Sequence, residues 1–167
     1  MVLVFDTSTL ITLHELGCDE MVRAFQELPT VEVVIPRAVW EELSRARSRI
    51  NLSAESLHVE QAEEELPDDI PRRLGRGELE AIAIAYKLAR LSGVSAIVLT
   101  DDKIARNKCK RIGVKTHGTL GLIELAKRCG IIAKERALQM LDEIPVKTHL
   151  YITRDSLEEA RGRIQRQ

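Results

Sequence analysis

Three short apolar runs constrain this chain more than any other feature: Val2 to Phe5, Val31 to Ile35 and Ala96 to Leu99. Each is too short for a buried helix: Val2 to Phe5 is continuously apolar and reads as a buried strand, Val31 to Ile35 is β-branched apart from Glu32, and Ala96 to Leu99 is again unbroken, so all three read as strands. The segments between them are longer and place apolar residues at helical spacing, as in Val39, Trp40 and Leu43, or Leu79, Ile82, Ala83 and Tyr86. Strands alternating with helices predict a single-domain, three-layer α/β/α architecture around a central parallel sheet of four to five strands, joined by right-handed crossovers. A chain of 167 residues, 44% hydrophobic, suits one such domain.

The turns fill in the plan. Asp6, Thr7 and Ser8 follow the first strand and are all good helix-capping residues, and Pro36 after the second suits a first helical turn. Residues Ser53 to Leu66 have helical spacing, and Pro67 to Pro71 read as a loop. Gly75 and Gly77 precede Glu78 and a helix closed by Gly93. After Ala96 to Leu99, a helix is expected over Lys103 to Arg111, then a weak strand over Val114 to Thr116. Gly118 to Gly121 open a helix that ends near Arg128, and another is expected from Lys134 to Glu143. Leu150 to Thr153 read as a small edge strand, with Asp155 capping a last helix.

Composition narrows the function. With 25 basic and 26 acidic residues the net charge is -1, so any polyanion site must be local. Cys18, Cys109 and Cys129 are odd in number and widely spaced, which argues against a disulfide framework or a thiolate zinc site. His14, His58, His117 and His149 form no HxxxH pair, and 3% aromatic residues leave few stacking platforms for bases. No apolar stretch approaches the ~20 residues that span a bilayer, and no secretory signal is visible, so a cytoplasmic location is expected. Neither a GxxxxGK phosphate loop nor a GxSxG elbow occurs.

What remains is a set of acids. Asp6 and Asp101 follow strands, Glu78 opens a helix, and Glu42 lies one to two turns into one. In a doubly wound sheet these positions fall at the carboxyl ends of the strands, where ligand clefts form. Two carboxylates ~4 Å apart repel by about 4 kcal/mol at an effective dielectric near 20, so a cluster calls for protons or a cation. Oxygen-only ligands favour hard ions such as Mg²⁺ or Mn²⁺, which suit phosphodiester hydrolysis. Each acid also has an ordinary reading: Asp6 and Asp101 as caps, Glu78 as a first-turn acid, and Glu42 as a helix-surface residue beside Glu41. Paired polar residues reconcile the two, with Thr7 or Ser8 capping in place of Asp6 and Asp102 in place of Asp101.

The segments Val-Phe-Asp-Thr-Ser near the amino terminus, Ile-Pro-Arg-Ala-Val-Trp-Glu-Glu-Leu at 35 to 43, Gly-Arg-Gly-Glu-Leu-Glu-Ala-Ile at 75 to 82 and Leu-Thr-Asp-Asp-Lys-Ile-Ala-Arg at 99 to 106 resemble the successive acidic motifs of PIN domains. Gly118-Thr119-Leu120-Gly121 resembles a turn of the prokaryotic subgroup related to VapC-type toxin ribonucleases. The resemblance implies a nuclease domain over residues 1 to 145, with 146 to 167 either part of it or a dimer contact. It implies that Asp6, Glu42, Glu78 and Asp101 form a catalytic, metal-binding centre, with Asp102 as a possible fifth acid. Mg²⁺ or Mn²⁺ is the implied cofactor. Thr7 or Thr100 would hold a carboxylate or bound water, and the implied activity is endonucleolytic cleavage of RNA. Implied partners are the RNA substrate, a small antitoxin that covers the site and a second copy in a homodimer. The third acid, often Asp in toxin members, is Glu78 here.

Arg106, Lys108, Lys110 and Arg111 follow the Asp101-Asp102 turn and Arg72, Arg73 and Arg76 precede Glu78, so both groups can border the cleft; Arg76 and Arg106 are the candidate phosphate contacts. A plain solvated face is the competing reading. Two other functions fit acids at strand ends: a catalytically inactive PIN-like module that binds RNA or protein, and a phosphoryl-accepting signalling domain.

Overall fold

The computed structural model describes residues 1–45, 58–62, 74–91 and 93–166. Within these, the chain runs β1 (Val2–Phe5), α1 (Thr7–Glu15), α2 (Glu20–Gln26), β2 (Glu32–Pro36), α3 (Arg37–Arg45) and β3 (His58–Glu60). It continues through α4 (Arg76–Leu91), β4 (Ala96–Leu99), α5 (Lys103–Arg111), β5 (Lys115–His117), α6 (Thr119–Arg128), α7 (Lys134–Lys147) and α8 (Arg154–Arg166). The five strands form one sheet in the order β3-β2-β1-β4-β5, every pair parallel.

Side chains alternate across that sheet with the period of two that a strand imposes. Leu3, Phe5, Val33, Ile35, Ile97 and Leu99 point into one core with residues of α1, α2, α3, α6, α7 and α8. Val2, Val4, Val34, Ala96 and Val98 point into the other with α4 and α5. Helices on both faces account for strands without a polar side: all four residues of β1 and of β4 are buried. Cys18 and Cys109 are buried without a disulfide, and burial raises the Cys109 thiol to about 12.

Several expectations shift. The helix expected over residues 53 to 66 is interrupted by β3, whose Val59 pairs with Ile35; three residues are too few for a strand period to register against helical spacing. Residues 61 and 62 are irregular, and 53 to 57, 63 to 66 and the loop expected at 67 to 71 lie outside the described residues. Helix α2 was not foreseen. The edge strand expected at Leu150 to Thr153 is irregular chain; at its entry side chains take two backbone donors, Glu15 accepting the His149 N–H at 3.0 Å and Thr148 Oγ1 the Leu150 N–H at 3.2 Å. Asp155 lies in the first turn of α8 rather than at its cap, where the Thr153 hydroxyl accepts the Ser156 N–H at 3.3 Å. Helix α7 continues past Glu143 to Lys147, through Pro145. Helix α8 packs on α6 and α7 and buries Ala160 and Ile164 in the first core.

Strand β1 leads to β2 on one side while β4, on its other side, leads outward to β5. The crossover direction therefore reverses between β1 and β4, and the gap beyond their carboxyl ends is the place where such folds bind ligands. One side chain ties the two helices that close this gap. Glu80 on α4 accepts the Ala38 N–H at the start of α3 at 2.5 Å and the Ala62 N–H at 3.3 Å. Glu80→Ala leaves both donors unpaired and is expected to cost roughly 1–3 kcal/mol in urea unfolding, with the slope of the transition unchanged. A loss below about 0.5 kcal/mol would show that the tie contributes nothing.

Candidate metal centre

Asp6 is the first residue beyond β1 and only 2% exposed. The sheet ladder extends to it, since its N–H donates to the Leu99 carbonyl at 3.0 Å. Although it stands at the start of α1, its carboxylate makes no capping bond. Oδ2 instead accepts the Ser8 hydroxyl at 2.8 Å and the Thr100 hydroxyl at 2.9 Å. Burial pushes its pKa up, and the hydrogen bonds from Ser8, Thr100 and the backbone oppose that rise only in part. Neither Thr7 nor Ser8 caps α1 in its place: Thr7 Oγ1 donates to Glu42 Oε2 at 2.6 Å, reaching from the β1 turn to α3.

Glu42 and Glu78 gather at the start of α4. The Gly77 N–H donates to Glu42 Oε1 at 3.2 Å, and the Gly75 N–H forms a short hydrogen bond to Glu78 Oε2. Free N–H groups at a helix start, with the positive end of its dipole, suit carboxylates. The glycines make the approach possible. A Cβ on Gly77 would lie 2.9 Å from Val39 Cγ2 and 3.1 Å from Glu42 Oε2, and one on Gly75 would lie 3.0 Å from Glu78 Oε2. Burial raises the Glu78 pKa; the bond from Gly75 opposes this, while the negative charges of Asp6, Asp102 and Glu42 reinforce it.

After β4 the two aspartates divide their work. Asp102 Oδ1 caps α5 by accepting the Ala105 N–H at 2.7 Å. Asp101 turns to the start of α6, where it accepts the Thr119 N–H at 2.8 Å and the Thr119 hydroxyl at 2.5 Å. Arg106 Nη1 lies 3.9 Å from Asp101 Oδ1 and donates to the Asp101 carbonyl at 3.1 Å. Gly118 is required by space, since a Cβ there would stand 2.5 Å from Asp101 Oδ1.

Asp6, Thr7, Ser8, Ile11, Glu42, Gly75 and Glu78 thus line one pocket of about 310 Å³. Asp102 joins it through its charge on Glu78, whereas Asp101 does not line it. Glu41, the neighbour of Glu42, faces away and pairs with Arg45 at 3.0 Å and with Arg76 at 3.4 Å, so Arg76 is engaged outside the pocket. Thr7 and Thr100 hold Glu42 and Asp6 respectively. Sequence reasoning did not single out Glu80 or the pairing of Thr119 with Asp101. Spacing from a strand end marks neither, because both act across the fold.

A family model described as "DUF3368: PIN domain" matches residues 2–166. The chain belongs to the PIN domain family. Among solved structures, it is similar to a PilT N-terminus domain protein, SSO1118, from the hyperthermophilic archaeon Sulfolobus solfataricus P2. The likeness has a TM-score of 0.55 at 21% identity and covers 73% of this chain and 90% of that one, which shows a shared fold. No curated protein matches the chain. PIN domains commonly are nucleases that use divalent metal ions. No helix among the described residues is long and apolar enough to cross a membrane.

The PIN pocket fits such an ion in its donor chemistry. Its charged groups are carboxylates, hard oxygen donors, and Asp6, Glu42, Glu78 and Asp102 form no ion pair with a basic side chain among the described residues. No three His, Cys, Asp or Glu side chains among the described residues are already assembled around one point, so binding an ion here requires side chains of the pocket to move. A buried carboxylate facing like charges destabilises the metal-free fold. Asp6→Asn, which keeps an acceptor for Ser8 or Thr100, is therefore expected to raise the melting temperature at neutral pH in EDTA. The scale is about 2–4 °C per kcal/mol for a chain of this size. An unchanged or lower melting temperature would mean that Asp6 is already compensated.

Proposed function

We propose that this PIN domain is a divalent-metal-dependent endoribonuclease that hydrolyses RNA phosphodiester bonds at the acidic pocket. The observation that carries the reading is the convergence of Asp6, Glu42 and Glu78 on one pocket at the switch point of the sheet, with no basic side chain paired to them among the described residues. Asp6, Glu42 and Glu78 would hold Mg²⁺ or Mn²⁺. Of the two acids after β4, Asp102 already acts electrostatically on Glu78, and Asp101 reaches the pocket by turning from Thr119; either supplies a fourth carboxylate. A bound ion there activates a water as nucleophile and offsets charge on the scissile phosphate and the leaving oxygen.

The protein's own groups do the rest. Thr100 and Ser8 fix the orientation of Asp6, and Thr7 fixes that of Glu42, so two ligands arrive pre-oriented from different elements. Arg106, held by the carbonyls of Thr100 and Asp101, presents a guanidinium beside the acidic turn that suits a phosphate oxygen. The resemblance to toxin ribonucleases extends the proposal to a cytoplasmic homodimer whose acidic pocket a small antitoxin covers.

The test is cleavage of a labelled structured RNA by purified protein in EDTA and then with Mg²⁺ or Mn²⁺. Cleavage should require the ion, and Asp6→Asn should lower the rate by a factor on the order of 10² or more. Mn²⁺ should raise the melting temperature of the native protein and not that of the variant. Cleavage that survives Asp6→Asn would remove the assignment, and metal binding without cleavage would point to a non-catalytic module.

A further inference from the structure

A second cavity, of about 550 Å³, lies beside the acidic turn, between α5 and the outer edge of β5. Its walls carry Arg106, Lys110, Lys115 and His117, and no carboxylate among the described residues lines it. Its volume falls within the roughly 300–1,000 Å³ of small-ligand sites. In a chain of net charge -1, a pocket whose described lining holds three permanent cations and no acid is a local field of the kind a polyanion requires.

Its construction follows from the chain. Arg106 and Lys110 are one turn apart on α5, so their side chains leave the same face at a spacing of about 6 Å along the axis. Gly113, at φ 76°, lets the chain reverse from α5 into β5, which brings Lys115 and His117 opposite that face. Strand β5 ends the sheet, pairing only with β4 among the described residues. Lys110 makes no side-chain ion pair or hydrogen bond among the described residues, and Lys115 Nζ has only the Ser95 hydroxyl, at 3.2 Å. Arg106 links this cavity to the acidic turn. It lines this cavity while donating to the carbonyls of Thr100 at 3.4 Å and Asp101 at 3.1 Å, and Thr100 in turn holds Asp6.

We infer that this cavity is a second phosphate site, which grips the backbone of the substrate strand outside the acidic pocket while the scissile phosphate lies at Asp6, Glu42 and Glu78. The inference rests on the nuclease reading above. It assigns substrate contacts to Lys110 and Lys115 and makes Arg106 the hinge between binding and chemistry. Contacts of this kind set the register of the strand without reading its sequence.

Fluorescence anisotropy of a labelled single-stranded RNA, titrated over a range of salt in EDTA, tests the assignment. Lys110→Gln with Lys115→Gln should weaken binding roughly tenfold and reduce the slope of log affinity against log salt by about 1.4, or ~0.7 for each lost phosphate contact. The melting-temperature rise with Mn²⁺ should remain, since neither lysine touches the acids. Arg90→Gln, about 18 Å along α4 from Glu78, removes one charge elsewhere and should leave binding unchanged. If native protein binds RNA but the double variant has the same affinity and slope, or Arg90→Gln lowers them equally, the second phosphate site is overturned and the nuclease reading stands. If native protein binds no RNA at any salt, the second phosphate site is overturned, while the nuclease reading is decided by the cleavage assay.

Discussion

The parallel pairing of β1 with β4 is the constraint on which the rest of this molecule depends. These strands are distant in sequence, and between them the direction of chain crossover reverses. Their register sets Phe5 against Leu99, so the next residues, Asp6 and Thr100, emerge side by side at the mouth of the switch point. A buried hydrogen bond from the Thr100 hydroxyl to Asp6 then spans 94 residues of sequence. Slipping the pair by one residue would exchange the two cores and separate that contact. Packing of the sheet and placement of the first acid are one event.

The other acids are placed by a different device, the free N–H groups of helix starts. The Glu42 carboxylate, reaching over from α3, accepts the Gly77 N–H in the first turn of α4, Glu78 accepts the Gly75 N–H just before that helix, and Asp101 accepts the Thr119 N–H at the start of α6. This arrangement partly offsets negative charge with oriented dipoles instead of lysine or arginine. A permanent cation there would compete with a metal, whereas a backbone N–H holds a carboxylate and can release it. Gly75, Gly77 and Gly118 belong to the same device, since a side chain at any of them would stand within about 3 Å of a carboxylate oxygen.

Much of this was legible in the sequence because it depends on local pattern. Four continuous apolar residues force a doubly covered strand, and the alternation with helices forces the parallel sheet. Of the acids that line the pocket, Asp6 follows a strand and Glu78 opens a helix, whereas Glu42, one to two turns into α3, is singled out chiefly by the family resemblance. What stayed hidden depends on contacts across the fold. A three-residue strand such as β3 carries too little pattern to outweigh the helical spacing around it. At the entry to the irregular path at 150 to 153, Glu15 and Thr148 take backbone donors, which no alternation of apolar residues reveals. The division of labour between Asp101 and Asp102 is also tertiary: both can cap a helix, and the nearness of Thr119 draws Asp101 away while Asp102 caps α5.

That division links the acidic pocket to the basic cavity. By turning to Thr119, Asp101 leaves its carbonyl, with that of Thr100, to hold Arg106 in the wall of the latter. Arg106 lines the basic cavity, and no basic side chain among the described residues lines the acidic pocket, so the opposite fields occupy separate surfaces. Direct pairing of Lys110 or Lys115 with the pocket acids would lower the repulsion there and remove the need for a cation. Their placement on α5 and on the far edge of β5 keeps the carboxylates uncompensated and the lysines available, the condition under which one strand of polyanion and one metal ion can be bound together.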